Sequence, residues 1–387
     1  MLDYFSEAVR PQSPAELAEA LAWAAARSQT IELGGNFSKR LMGGPALRSN
    51  MNVSTAAMNR VRQYEPHDLT ISVEAGMPYC ELSRLLAEHR QMLPLDPVFS
   101  DSATIGGILA ANCSGPRRRL YGTARDMLIG MQFATLEGKV VESGGMVVKN
   151  VAGLDMAKLM IGSFGTLAAI AVANFKVIPQ PPHERTFQFK HATLEAAIAA
   201  RDTILKSPLD PAAIDLLNPA AAELAEPAYV LAVRAGGNAA AIARYERELA
   251  RLGAKPVPGG EEASFWGAIQ NFTPRYLATR PDGAVVRIST TLKGIAAVIQ
   301  SIPGPAIARA GTGVCYAYFE QASEAARFAA STAHEFSETV IEFAPEEGKE
   351  EINLWPAPGR DLEIMKRIKL MFDPQLLLNR GRLYRLI

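Results

Sequence analysis

The chain has 387 residues, of which 48% are apolar and 21% charged, and its 40 Lys+Arg balance 40 Asp+Glu to zero net charge. At about 100–200 residues per domain, this length predicts two domains, or three. A neutral balance argues against a nucleic-acid binder, which needs a basic footprint to neutralise phosphates.

The first helix is signalled by Ser13 at the N-cap, Pro14 at the first helical position and Glu16 completing a capping box, with Leu17, Leu21 and Ala24 then recurring at helical spacing. A short strand over 30–33 runs into Gly34-Gly35-Asn36-Phe37-Ser38-Lys39. Leu69, Ile71 and Val73 alternate with polar neighbours as a half-buried strand does. Pro78 opens a helix through about His89, residues 103–112 read as a short helix carrying two glycines, and 128–143 read as a hairpin turning at Glu137-Gly138. A helix over 155–161 and a strand over 166–178 follow, closed by Pro179-Gln180-Pro181-Pro182, the best candidate for a domain boundary. Beyond it, strands and helices alternate in two groups: 186–189, 194–205, 229–235 and 239–252, then 285–290, 295–302, 314–319 and 323–336. The two groups could be a loose repeat of one α+β unit. The tail starts as a helix at Asp361, which the turn signal Phe372-Asp373-Pro374 ends, and Asn379-Arg380-Gly381-Arg382 follows.

Targeting and redox signals are few. The N-terminal MLDYFSEAVRPQSP lacks the basic and apolar regions of a secretory signal. The longest uncharged stretch, 159–175, is broken by glycines and polar residues and falls short of the roughly 20 apolar residues that a spanning helix needs. Cys80, Cys113 and Cys315 are scattered with no CxxC, which argues against an iron–sulfur cluster in this chain and fits a reducing, cytoplasmic setting.

No GxGxxG follows a strand, and no GxxxxGK[ST], HExxH or GxSxG occurs. The five histidines show no metal-ligand spacing, so no metal site is expected. What stands out is glycine in three segments. In 34–39, a strand running into two glycines lets successive backbone N–H groups turn toward one point and bind an anion; a plain strand-to-loop turn is the alternative. In Asp101-Ser102-Ala103-Thr104-Ile105-Gly106-Gly107-Ile108-Leu109-Ala110-Ala111-Asn112-Cys113-Ser114-Gly115, paired helical glycines cost about 1 kcal/mol each relative to alanine, which points to close approach by a ligand or by another segment. In the third, Lys149-Asn150-Val151-Ala152-Gly153-Leu154-Asp155 precedes Gly162-Ser163-Phe164-Gly165-Thr166-Leu167, a tight glycine turn between helix and strand.

In order and wording these segments resemble the FAD-binding domain of the vanillyl-alcohol-oxidase/p-cresol-methylhydroxylase (PCMH-type) superfamily: a Gly-rich first loop, Thr104-Ile105-Gly106-Gly107, Tyr121-Gly122-Thr123-Ala124-Arg125-Asp126 and the Gly162 to Leu167 strand entry. Within it, Gly115-Pro116-Arg117-Arg118, Val148-Lys149-Asn150-Val151-Ala152-Gly153 and Asn379-Arg380-Gly381-Arg382 resemble the family of glycolate oxidase E subunits. The resemblance is dense over 30–180, faint through the middle, and returns in the tail. It implies an α+β chain: a two-lobed FAD-binding domain over 1–180, an α+β, ferredoxin-like cap domain over 183–350, and a tail over 361–387 returning to the FAD domain. It implies FAD held non-covalently. The diphosphate would lie on the backbone of Gly34, Gly35, Asn36, Phe37, Ser38 and Lys39, with Pro94, Asp96, Ser100, Asp101, Ser102, Ala103 and Thr104 on its other side. Gly106, Gly107, Ala111, Asn112, Ser114 and Gly115 would lie along the ribityl chain and flavin ring. Gly165, Thr166 and Ile170 would be near the ribose and adenine, and Asn379 and Arg382 would reach back from the tail.

The chain also departs from that superfamily. Covalent members attach flavin through a histidine in or near the first loop, where this chain has Asn36, Phe37 and Ser38, and Cys113 does not match the cysteinyl attachment site. The paired-histidine metal motif of 2-hydroxyacid oxidisers is missing after residue 183, and no convincing catalytic base is visible. Arg117, Arg118 and Arg119 could bind a carboxylate or form a solvated or partner-facing run. The implied role is the FAD-binding subunit of a glycolate oxidase (dehydrogenase) complex, with a second FAD-containing subunit and an iron–sulfur subunit as partners and at most a peripheral contact with the membrane. The alternatives are a self-sufficient FAD-dependent 2-hydroxyacid oxidoreductase and a scaffold subunit whose flavin is structural or lost. Tryptophan at Gly35 or Gly106 is expected to exclude the flavin while the cap domain still folds.

Overall fold

The computed structural model of the chain describes residues 8–146, 154–336 and 338–387. Two compact units emerge. The first runs through Ser114, resumes from Thr123 to Gln180 and takes in Ala357–Ile387; the second comprises Gly115–Gly122 and Pro181–Pro356.

In the first unit, the helix Pro14–Ala25 starts where Ser13 Oγ accepts from Glu16 N at 3.2 Å. The Glu16 carboxylate reaches back to Gln12 N at 3.0 Å, one residue earlier than the usual capping box. Its buried stripe of Leu17, Ala18, Leu21 and Ala24 packs with Ile31, Met51, Val53, Ala169 and Ala171. This one apolar core therefore joins a parallel two-stranded sheet, Ile31–Gly34 with Met51–Ser54, to a five-stranded antiparallel one. The larger sheet runs in the order Val61–Glu65, Thr70–Glu74, Ala169–Lys176, Leu128–Ala134, Val140–Gly144. Its central strand buries every residue from Ala169 to Phe175, which is why that stretch reads as a continuous apolar run rather than an alternation. The helix Asp361–Phe372 leads to a tail that lies along the first strand: Ile31 N donates to Leu377 O at 2.8 Å and Asn379 N to Ile31 O at 3.0 Å.

The second unit is built on an eight-stranded antiparallel sheet in the order Lys255–Pro256, His183–His191, Tyr229–Gly237, Ala213–Leu217, Ala306–Arg309, Val314–Phe319, Ala284–Ser289, Glu338–Phe343. Numbered along the chain, the first four strands lie in the order fourth, first, third, second, and the last four mirror this. Each half also carries two helices, Leu194–Lys206 and Ala239–Arg251, then Ile295–Ser301 and Ala322–Thr332. The unit is thus two ferredoxin-like βαββαβ modules joined edge to edge through their second strands, which gives the loose repeat a structural basis. The helices share one apolar core with Phe187, Phe189, Leu216, Val233, Val286 and Ala317. The helices Glu262–Gln270 and Phe272–Ala278 are insertions outside the repeat.

Across the module junction, Asp215 and Arg309 form a buried ion pair. Breaking such a pair leaves an uncompensated charge in the interior, so Asp215→Ala is expected to destabilise the second unit by about 3–5 kcal/mol, read as a shift of the denaturant midpoint. Exchanging both partners for apolar residues of matched volume is expected to cost far less.

Candidate cofactor site

The first unit holds an open cleft. It forms where three stretches meet. The strand Ile31–Gly34 runs out into a loop through Arg40, the helix Ile105–Ala110 presents its first turns, and the turn at Phe164-Gly165 enters the next strand. Ala46, Leu47, Ser49, Thr55 and Ala168 complete the wall, together with Asn379, Arg380 and Arg382 from the tail.

Glycine permits this convergence, in part for a reason other than ligand contact. A Cβ on Gly35 would lie 2.1 Å from Thr104 Oγ1, and one on Gly106 would lie 2.8 Å from the Ala75 Cβ. These two glycines let protein segments close on one another. Gly107 differs: its Cβ would meet only Thr104 Oγ1, at 3.3 Å. The first loop is fixed from outside the cleft, since Ser54 Oγ donates to Gly35 O at 2.8 Å and Asn36 Nδ2 donates to Ser102 O at 3.1 Å. With the loop so held, the backbone N–H groups of Gly35, Asn36, Ser38 and Lys39 have no acceptor among the described residues. Unsatisfied amides gathered on one loop suit an anion.

The tail is locked in by side chains. Asn379 Oδ1 accepts from Leu33 N at 2.7 Å, while its Nδ2 donates to Leu33 O at 3.0 Å and to Phe164 O at 2.6 Å. Gly165 has φ +69°, and a Cβ there would stand 2.8 Å from Asn379 Nδ2. Arg382 donates to Arg40 O at 2.8 Å, to Lys39 O at 3.3 Å and to Met42 O.

Electrostatically the wall is lopsided. It holds one carboxylate, Glu32, and four cations, Lys39, Arg40, Arg380 and Arg382. Glu32 is already taken by Arg40 at 2.9 Å. Lys39 is only 9% exposed, and its Nζ has no hydrogen-bond partner among the described residues. Burial pushes its ammonium pKa below the usual lysine range, with Cys113 pulling the other way. A basic wall with spare amides and apolar stretches at Leu33, Leu47, Phe164 and Ile170 fits FAD, whose two phosphates are anionic and whose rings are flat. Cations thus stand on this wall beside the amides.

The FAD binding domain family matches residues 6–144, and the C-terminal domain of FAD linked oxidases matches residues 349–383. These two matches, which together cover less than half of the chain, mark it as carrying an FAD binding domain. Among curated relatives, it is 35% identical to glycolate oxidase subunit GlcE of Escherichia coli K12 over 152 residues, 39% of this chain and 43% of that protein. It is 30% identical to glycolate oxidase subunit GlcD of Bacillus subtilis over 161 residues, 42% of this chain and 34% of that one. It is likewise 30% identical to the D-2-hydroxyglutarate dehydrogenase of Xanthomonas citri pv. viticola over 172 residues, 44% and 36% of the two chains. The chain thus spans less than half the length of these relatives in each match. Two solved structures share its fold: 4-ethylphenol oxidase from Gulosibacter chungangensis, with TM-score 0.73, 16% identity and coverage of 97% of this chain and 88% of that one, and an alkyldihydroxyacetonephosphate synthase, with TM-score 0.72, 19% identity and coverage of 96% and 75%. FAD is the cofactor of this domain, and when bound it supplies a two-electron acceptor.

Of the residues singled out from sequence, Gly34, Gly35, Asn36, Phe37, Ser38, Lys39, Thr104, Gly106, Gly107, Ala111, Gly165, Ile170, Asn379 and Arg382 line the cleft. Pro94, Asp96, Ser100, Asp101, Ser102, Ala103, Asn112, Ser114, Gly115 and Thr166 do not. Ser102 supports the first loop through its carbonyl, and Asp101 O accepts from Cys80 Sγ at 3.7 Å. The Tyr79 hydroxyl accepts from Asp96 N at 3.4 Å. Thr166 is fully buried, its hydroxyl donating to Ser163 O at 2.7 Å. Gly115 belongs to the second unit. Lys149, Asn150, Val151, Ala152 and Gly153 lie outside the described residues. Glu32, Leu33, Arg40, Ala46, Leu47, Ser49, Thr55, Ala110, Phe164, Ala168 and Arg380 line the cleft without having been assigned to the cofactor; Ala110, Phe164 and Arg380 lie within the glycine-rich and tail motifs. Arg119 is held within the second unit, donating to Asp210 at 2.7 Å and to Pro211 O at 2.6 Å. Among the described residues, no group of three His, Cys, Asp or Glu could hold a metal ion, and no helix is long and apolar enough to cross a membrane.

Proposed function

We propose that the chain is the FAD-binding, electron-carrying subunit of a complex that oxidises glycolate or a closely related 2-hydroxy acid. In this reading a second FAD-containing subunit and an iron–sulfur subunit are its partners, working in the cytoplasm and at most peripherally at a membrane. The observation that carries the reading is the basic, amide-rich cleft, set in a domain 35% identical over 152 residues to a glycolate oxidase subunit. Oxidising a 2-hydroxy acid requires removal of a hydroxyl proton and transfer of a hydride to flavin. In this chain the first loop and the tail would position the cofactor, with Asn379 tying both to the turn at Phe164.

The similarity to D-2-hydroxyglutarate dehydrogenase favours a second reading, a chain that oxidises its own 2-hydroxy acid. Anaerobic mixing separates the two. Glycolate, D-lactate or D-2-hydroxyglutarate is expected to leave the visible flavin band of the isolated holoprotein unbleached, and to bleach it when the chain is purified with its native partners. Fast bleaching of the isolated chain would instead establish the self-sufficient enzyme.

A further inference from the structure

We propose that Lys39 is a counter-cation reserved for the diphosphate of bound FAD. The inference rests on FAD occupying the cleft. Every other charged group on the wall already makes at least one polar contact, although Arg380 Nε also lacks a partner among the described residues. Arg40 pairs with Glu32, Arg380 donates to Arg48 O at 2.8 Å, and Arg382 is spread over three carbonyls. Lys39 has nine-tenths of its surface buried and makes no hydrogen bond through Nζ among the described residues. A buried ammonium without a partner is destabilising, and burial already biases it toward the neutral amine. The same loop carries the spare amides of Gly35, Asn36, Ser38 and Lys39 itself. Cation and amides therefore share one short segment. The diphosphate is the part of FAD that stays negative in every redox state, and a phosphate oxygen accepts from both kinds of donor.

Lys39 thus pulls in opposite directions before and after cofactor binding. Three flavin-free, full-length proteins test this: wild type, Lys39→Met and Lys39→Arg. Each is melted, then titrated with FAD and with ADP, which keeps the diphosphate and lacks the flavin. Lys39→Met is expected to melt at or above the wild-type temperature without flavin, yet to bind both FAD and ADP at least 10-fold more weakly; Lys39→Arg should recover most of the affinity. The proposal is overturned if Lys39→Met binds FAD within twofold of wild type, if only FAD and not ADP is weakened, or if the flavin-free Lys39→Met protein melts lower. A wild-type protein that takes up no FAD would instead overturn the cofactor assignment itself.

Discussion

Asp373→Ala is expected to destabilise the first unit by about 3–5 kcal/mol and to weaken FAD binding with it. Asp373 is fully buried, and its Oδ2 accepts from Lys369 Nζ at 2.6 Å and from Leu378 N at 2.8 Å, while Oδ1 accepts from Leu377 N at 2.9 Å. Lys369 Nζ also donates to Thr166 O at 2.7 Å and Leu378 O at 3.0 Å, so one buried pair holds the end of the last helix, the strand entry at Thr166 and the tail together. Alanine would strand a buried ammonium and two amides at once. The segment released is the one that sets Asn379, Arg380 and Arg382 on the cleft wall. Thermal melts with and without FAD check both effects. Asp373→Asn keeps an acceptor and should lie between alanine and wild type.

Gly107→Trp should reduce FAD affinity at least about 100-fold, equivalent to about 2.8 kcal/mol at 1.4 kcal/mol per tenfold, while the flavin-free protein melts close to wild type. A Cβ at this position meets only Thr104 Oγ1, at 3.3 Å, so the backbone has room for a side chain, and glycine there is itself a poor helix former. The added ring would then occupy space on the cleft wall. Tryptophan at Gly35 or Gly106 is a poorer probe than the sequence suggested. The first atom added would strike Thr104 or Ala75, so lost flavin would report lost folding.

Much of the fold was legible because its local signals agree with its burial. Ser13, Pro14 and Glu16 mark a helix that forms there, and the turn at Glu137-Gly138 joins two strands, with Thr135 N donating to Lys139 O at 3.0 Å. The strands Ala213–Leu217 and Ala306–Arg309 gave no such signal. They lie where the two modules meet, every residue in both is buried, and neither shows an alternation of apolar and polar residues. Among the described strands, Glu338–Phe343 pairs only with Ala284–Ser289, so its identity as a strand comes from tertiary partnership. In the site, small residues announced close packing but not which side of the backbone faces the ligand. Gly35 and Gly106 spend their missing side chains on Thr104 and Ala75, and Thr166 points into the unit. Ala46, Leu47 and Ser49 reach the wall from a loop without a motif, placed there by Gly44, whose Cβ would sit 2.0 Å from Gly381 O.

Titration of the flavin-free, full-length chain with FAD, followed by quenching of flavin fluorescence, addresses the central claim most directly. Saturation at one FAD per chain is expected, with Gly107→Trp weakening it at least about 100-fold while the protein stays folded. No saturable binding, or saturable binding that Gly107→Trp leaves intact, would contradict the placement of FAD in this cleft.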